Sequence, residues 1–262
     1  MSNLEVSLIG SGNVAWHLAP ELDNVGYVVR EVYSRNVKNA RRLIGRLYQA
    51  KQKTDLDFSS SPSRVFIIAV SDDAIEEIGK EIVVPKGSVL VHTSGSKSIE
   101  VLGYAPTPNI GVFYPLQTFS KSKKVDFSDV PICIEADNSH TWRILKKMAD
   151  QISKRVHKIN SSSRQALHIA AVFACNFTNH LFTIADDILD KNDLDFEMLK
   201  PLIVETINKS LELGPQQAQT GPARRGDLEV LDKHMKALKS NKSYATIYKT
   251  ITQNILDTYP GK

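Results

Sequence analysis

Six residues near the start of the chain, Gly10-Ser11-Gly12-Asn13-Val14-Ala15, restrict its fold more than any other feature because of what flanks them. Before them, Leu4, Val6, Leu8 and Ile9 make a short apolar run of strand character over residues 4–9. After them, Val14, Leu18 and Leu22 recur at helical spacing over residues 13–22. The order is strand, tight turn, helix. In that setting the first glycine permits the turn, the second lets a phosphate approach the backbone, and Ala15 keeps helix and strand close. The free N–H groups and positive dipole end of the helix then attract an anion. The same string in an ordinary loop carries little weight; between a strand and a helix it predicts a dinucleotide pyrophosphate site at Gly10, Ser11, Gly12, Asn13 and Val14.

The next strand, residues 27–33, indicates which dinucleotide. A carboxylate at this strand end holds the ribose hydroxyls of NAD and repels a 2′-phosphate, whereas this chain offers Ser34, Arg35 and Asn36. A charge-assisted hydrogen bond contributes ~1.5–3 kcal/mol, so one well-placed Arg35 contact supplies roughly 10- to 150-fold preference for NADP. Glu31 competes with this reading, since a shift in strand assignment would bring a carboxylate to the ribose and favour NAD.

Strand and helix signals alternate onward. Residues 64–70 form a continuous apolar run, as in a parallel strand buried on both faces, and helix 73–82 and strand 88–92 follow. Further strand signals fall at 109–113, 130–135 and 156–158, with a helix over 140–153. The strand ends present Val70-Ser71-Asp72 and His92-Thr93-Ser94-Gly95, of which Val70, Ser71 and Ser94 are expected at the cofactor. After Ser163 strand signals stop and helices are expected over 163–189, 195–213, 227–238 and 244–257, with breaks at Gly214-Pro215 and Gly221-Pro222. The expected fold is therefore a doubly wound, mostly parallel α/β Rossmann domain, residues 1–160, followed by an all-α domain, residues 161–262.

Composition removes several alternatives. The formal charge is +4 over 262 residues, and the only short basic cluster is Lys121, Lys123 and Lys124, with no aromatic interleaving, so nucleic acid is not an expected partner. Cys133 and Cys175 stand far apart in apolar surroundings, which supports neither a disulfide nor a metal site. No window of ~18 consecutive apolar residues marks a membrane span, and no signal segment precedes the first strand; a cytoplasmic location is expected. The helix over 163–189 carries Ala and aromatic residues over more of its circumference than one small domain covers, which predicts a homodimer.

Taken together, these residues resemble a known group. The N-terminal half, with Gly-Ser-Gly-Asn-Val-Ala, Ser34-Arg35-Asn36 and Val70-Ser71-Asp72-Asp73-Ala74-Ile75, is similar to the Rossmann domain of pyrroline-5-carboxylate reductases and deazaflavin-dependent NADP reductases. The stretches 167–177 and 219–227 resemble a bacterial family of provisionally assigned NADP oxidoreductases with a helical C-terminal domain of unknown function. The resemblance implies a second domain similar to that of 6-phosphogluconate dehydrogenase, a small-molecule substrate and NADP as cofactor.

The catalytic candidates are fewer. In the wider β-hydroxyacid dehydrogenase superfamily a Lys and an Asn one turn later, on the first long helix of the second domain, protonate and position the substrate oxygen. Asn176 matches that Asn, but Val172 stands where the Lys would be. His168, two turns before Asn176, is the expected proton donor on the same helix face, and Asn176 is expected to be buried and to orient the substrate. His180, His92, Tyr114, Gln117, Arg224 and Arg225 are weaker candidates with ordinary structural readings. Two functions are compatible with this pattern: an NADPH-dependent reductase of a small carbonyl or imine, and a non-catalytic NADP-binding sensor, which the absent Lys would favour.

Overall fold

The computed structural model describes residues 4–259. Its strands are β1 (Glu5–Ile9), β2 (Val28–Tyr33), β3 (Lys51–Lys53), β4 (Val65–Ile68), β5 (Val89–His92), β6 (Ile110–Pro115), β7 (Ile132–Ala136) and β8 (Val156–Lys158). They form one sheet in the order β3-β2-β1-β4-β5-β6-β7-β8, parallel throughout except for the β6–β7 pair. Because β1 lies between β2 and β4, the chain reverses its winding direction there, which opens a crevice at the carboxyl ends of these strands. This is the doubly wound arrangement that the alternation of elements predicts.

The pattern of β4 shows why the sheet is covered on both sides. Val65 and Ile67 pack into the cluster that includes Leu8, Leu18 and Leu145, while Phe66 and Ile68 enter a second cluster with Ile75, Ile78 and Leu90. Successive side chains point to opposite faces, so a four-residue run with no polar member demands apolar cover above and below. Helices α1 (Asn13–Asn24), α2 (Val37–Ile44), α3 (Ile75–Glu81) and α4 (Ser139–Ile152) provide it.

Compact units divide at Cys175 and Asn176. The first contains the whole sheet and α5 (Ser161–Ala171). A π-helical stretch, Val172–Phe177, then leads into α6 (Thr178–Asp190), and α7 (Lys200–Leu213) and the helices Leu228–Ala237 and Lys242–Thr258 follow. Within the second unit an apolar cavity of about 330 Å³ is lined by Ile184, Leu231, Ile247 and Ile251, with His234 Nδ1 and Tyr248 Oη 2.8 Å apart at its wall. Among the described residues, the continuous helix Ser161–Asp190 reaches by length and composition what a membrane crossing needs, with a mean hydropathy of 1.2 in its most apolar window. The run of consecutive apolar residues is nonetheless broken by polar members that include His168, Asn176, Asn179 and His180.

Gly10 is the residue on which the first turn depends. Its φ is +121°, and a Cβ there would fall 2.2 Å from the Ala69 carbonyl oxygen, the carbonyl of the chain leaving β4. Gly12 is different: a Cβ would meet only Ala69 O, at 3.9 Å. Gly10→Ala should therefore cost more than about 2 kcal/mol in denaturant unfolding, from strain and collision together, whereas Gly12→Ala should leave stability within about 1 kcal/mol of the native protein. Equal losses would show that both glycines serve the turn alone.

Candidate functional site

The fold leaves the first turn of α1 bare. Gly12 occupies its N-cap position, no side chain caps it, and its first turn holds no acidic residue. By contrast α2, α4 and α5 begin with Asn36, Asn138 and Asn160, whose side-chain oxygens accept the N–H groups of Asn39, Thr141 and Ser163. The donors at the start of α1 and the positive end of its dipole thus face a cleft of about 450 Å³. Gly12 lies in that cleft with space where its side chain would be, so a polar anion can approach the backbone closely.

Most of the residues expected at the cofactor meet in this cleft. Gly10, Ser11, Gly12, Asn13 and Val14 line one end, Ser34, Arg35 and Asn36 the β2 side, and Val70 and Ser71 the β4 side. Ser11 Oγ donates to Ser34 Oγ at 2.8 Å, which ties the glycine turn to the end of β2. Arg35 is exposed, and among the described residues no carboxylate lies within ion-pair range of it, which leaves its guanidinium available to a phosphate. Ser94 is placed elsewhere: its Oγ accepts the N–H groups of Ser96 and Lys97 and so caps its own loop.

Glu31 does not compete with this reading. Its carboxylate accepts from Ser7 Oγ on β1 at 2.8 Å and from Ser61 Oγ, and Glu31 is not among the residues of the cleft. The two hydroxyls hold the carboxylate away from the position that an acidic ribose-binding residue would take at the strand end.

One member of the cleft was not expected. Lys121 Nζ donates to Ser11 O at 3.1 Å and lies over the Trp16 ring at 5.2 Å, which brings a cation to the glycine turn. The loop that carries it is anchored by three contacts. Asn13 Nδ2 donates to Phe119 O at 3.0 Å, the His17 Nε2 atom and Ser120 O are 2.8 Å apart, and the His17 ring stacks on Phe119. Asn13 therefore holds the loop with its side chain. Nothing in the basic cluster 121–124 signals this, because the contact joins residues far apart in sequence.

A second group of polar residues gathers at the carboxyl ends of β5 and β6. His168 Nδ1 and Tyr114 Oη are 3.1 Å apart with the rings edge to face, and both rings press on Gly95, where a Cβ would fall 2.6 Å from His168 Nδ1 and 2.7 Å from Tyr114 Cζ. Gly95 is the only residue type that admits both rings. Burial pushes the Tyr114 phenol up to about 12, so it keeps its proton at every working pH. His92 is fully buried, with Nδ1 accepting the Ser94 N–H at 3.1 Å, and burial and then the Arg164 cation lower it to about 4. It is a neutral loop anchor.

Arg164 fixes α5 against this edge. Fully buried, it pairs with Glu135 on β7 and donates to Lys97 O and to Ser161 Oγ, while Ser161 donates its N–H and hydroxyl to the same Glu135 carboxylate at 2.9 and 2.8 Å. Gln165 Nε2 adds a bond to Ser96 O at 2.8 Å. His168 is thus held by buried polar contacts one turn before it. Asn176 corrects an expectation: it is exposed rather than buried, and it lies in the π-helical stretch Val172–Phe177. That stretch winds more widely than an α-helix, so a constant 3.6-residue spacing does not run through it. The Arg224 guanidinium lies over the Tyr259 ring, 4.9 Å from its centroid.

Sheet order, bare helix terminus and glycine cleft define a Rossmann-type dinucleotide-binding fold followed by a helical region. Residues 1–117 match the Rossmann-like domain family, and residues 130–255 match a domain of unknown function, DUF2520. The crystal structure of a provisionally assigned NADP oxidoreductase from Bacteroides fragilis is 38% identical, with a TM-score of 0.90 over 97% of this chain and 98% of that one. The chain belongs to this family of NADP oxidoreductase-like proteins with a DUF2520 domain. A reductive aminase from Aspergillus terreus, solved with NADPH and ethyl-5-oxohexanoate, shares the fold at 13% identity and TM-score 0.75, over 99% of this chain and 96% of that one. An imine reductase from Myxococcus stipitatus, solved with NADP+, does so at 13% identity and TM-score 0.65, over 98% and 96%. No curated protein matches the chain.

The cleft holds two cations, Arg35 and Lys121, whose proposed roles cofactor titration can distinguish. Lys121→Gln should weaken NADPH and NADH alike, by about 5- to 20-fold, because the pyrophosphate is common to both; Arg35→Ala should weaken NADPH by about tenfold or more and leave NADH unchanged. Calorimetry on the two variants reads the difference. Loss of NADH affinity on Arg35→Ala would remove Arg35 from 2′-phosphate recognition.

Proposed function

We propose that the protein is an NADPH-dependent oxidoreductase that reduces a small carbonyl or imine substrate, acting in the cytoplasm as a homodimer. The observation that carries this reading is the uncapped N-terminus of α1 opening beside Gly12 and flanked by Arg35 and Lys121, a set of donors suited to a pyrophosphate and a 2′-phosphate. The donor set fits NADP. In the bound state Gly12 and the first turn of α1 would hold the pyrophosphate, and Arg35 with Ser34 and Asn36 the ribose phosphate. When bound, NADPH would supply the hydride for such a reduction.

His168 is the residue proposed to protonate the substrate heteroatom as that hydride arrives. Its support is its place at the carboxyl ends of β5 and β6, the edge on which a doubly wound sheet binds its ligands, together with the buried Arg164 that positions its helix. Asn176 is the second proposed contact to substrate. NADPH consumption should be screened with small ketoacids, aldehydes and cyclic imines. With an accepted substrate, His168→Ala should lower turnover by roughly 10²- to 10⁴-fold while NADPH affinity stays within about twofold. Full turnover in the folded variant removes His168 from the chemistry. A protein that binds NADPH but consumes it with none of these substrates would point to a sensor.

Dimerisation rests on the helical unit, where Met198, Leu202, Val204, Leu211 and Leu228 are each more than half exposed. Apolar exposure on that scale favours an association surface. Light scattering at micromolar concentration should give twice the chain mass, 58 kDa on the basis of 29.2 kDa per chain. A mass of one chain would contradict it.

A further inference from the structure

We infer that Tyr114 is a positioning residue for His168: its phenol donates to Nδ1, which sets the neutral imidazole as the Nε2–H tautomer and makes the phenol the source that replenishes the delivered proton. The inference rests on the proposed reductase role of His168. It starts from the pair itself, with Oη and Nδ1 3.1 Å apart and the rings edge to face. Among the described residues His168 Nδ1 is the hydrogen-bond partner of the Tyr114 hydroxyl. A hydroxyl proton that is half-buried beside a lone pair is best placed on that lone pair, whereas an Nδ1–H directed at Oη would leave the phenol proton without a partner.

Gly95 shows that the pair is built rather than incidental. With any side chain at that position the two rings could not occupy their places, since a Cβ would fall within 2.9 Å of His168 Cγ as well as against Nδ1 and Tyr114 Cζ. Among the described residues, the charged and titratable groups that act on the Tyr114 phenol are Arg164, one turn back on the helix of His168, Asp72 beyond β4 and Cys133 on β7. Arg164 favours the phenolate and Asp72 opposes it, while burial keeps the phenol protonated at rest.

The proton balance is simple for a carbonyl. Hydride forms the new C–H bond, the π electron pair of C=O moves to oxygen, the Nε2 proton goes to that oxygen, and the Oη proton moves to Nδ1. The imidazole ends neutral and Tyr114 ends as phenolate beside Arg164; the Nδ1 proton then returns to Oη while a solvent proton reaches Nε2, which restores the starting pair. Without the phenol, a neutral imidazole could give up Nε2–H only by becoming an imidazolate, so only the imidazolium would remain an effective donor.

Two measurements test this on the full chain. The first needs neither cofactor nor substrate: nitrogen NMR of the His168 ring in the free protein above pH 8 should show Nδ1 unprotonated and Nε2 protonated, and Tyr114→Phe, which retains the ring, should convert this to a mixture. An Nδ1–H tautomer in the native protein would overturn the inference, whatever substrate is found. The second is the pH profile of turnover, which should be flat through neutrality in the native protein. In Tyr114→Phe turnover should instead fall about tenfold per pH unit on the alkaline side, because only the imidazolium remains an effective donor, with KM and NADPH affinity unchanged. Gly95→Ala, which must separate the rings, should reproduce that falling limb. An unaltered profile in both variants would refute the relay, and a lack of NADPH binding in the native protein would instead refute the reductase reading while leaving the tautomer result standing.

Discussion

The bare N-terminus of α1 is the constraint around which the rest of the structure is arranged. A helix start leaves several N–H groups without partners, and this protein satisfies them with asparagine caps at α2, α4 and α5 but leaves those of α1 to a cleft. To place that terminus at the carboxyl ends of the strands, β1 must sit between β2 and β4, and the chain must turn at once through Gly10 into the helix. Gly10 serves this geometry. Gly12 serves whatever approaches it, because its own packing would admit a methyl group.

Around this terminus the molecule concentrates positive charge without committing it internally. Arg35 faces the cleft with no carboxylate partner among the described residues, and Lys121 reaches the glycine turn from a loop pinned by Asn13 and His17. Arg164 works in the opposite way. Its charge is buried and bound by Glu135, and it holds α5 on the edge of the sheet with His168 one turn on. Removing one partner of such a pair costs about 3–5 kcal/mol, which makes the position of His168 part of the folding free energy of the first unit.

Much of the fold was legible in the sequence because local pattern and global arrangement agree. The strand 156–158 and the phosphate turn coincide with β8 and the loop after β1, and an unbroken run such as Val65–Ile68 leaves little choice but a central strand. The short edge strand Lys51–Lys53 escaped, since three polar residues have no alternation to read. The cleft at the glycine turn was legible where its residues sit at strand ends, and Glu31 was ambiguous only until its two serine partners were known. Lys121, Arg164 and the pairing of Tyr114 with His168 were not legible. Each depends on contacts across 29 to 110 residues of chain, for which a single sequence carries no signal. Asn176 was misjudged for a related reason: its apolar neighbours suggested burial, yet they lie in a π-helical stretch whose large side chains Phe173 and Phe177 are themselves exposed.

The central claim is that the start of α1 is an anion site built for a dinucleotide phosphate. A crystal structure of the chain with NADPH tests it most directly. The pyrophosphate should lie within hydrogen-bond distance of the N–H groups that open α1, next to Gly12, with the 2′-phosphate on Arg35. A dinucleotide bound elsewhere, or a cleft that stays empty at saturating NADPH, would contradict it.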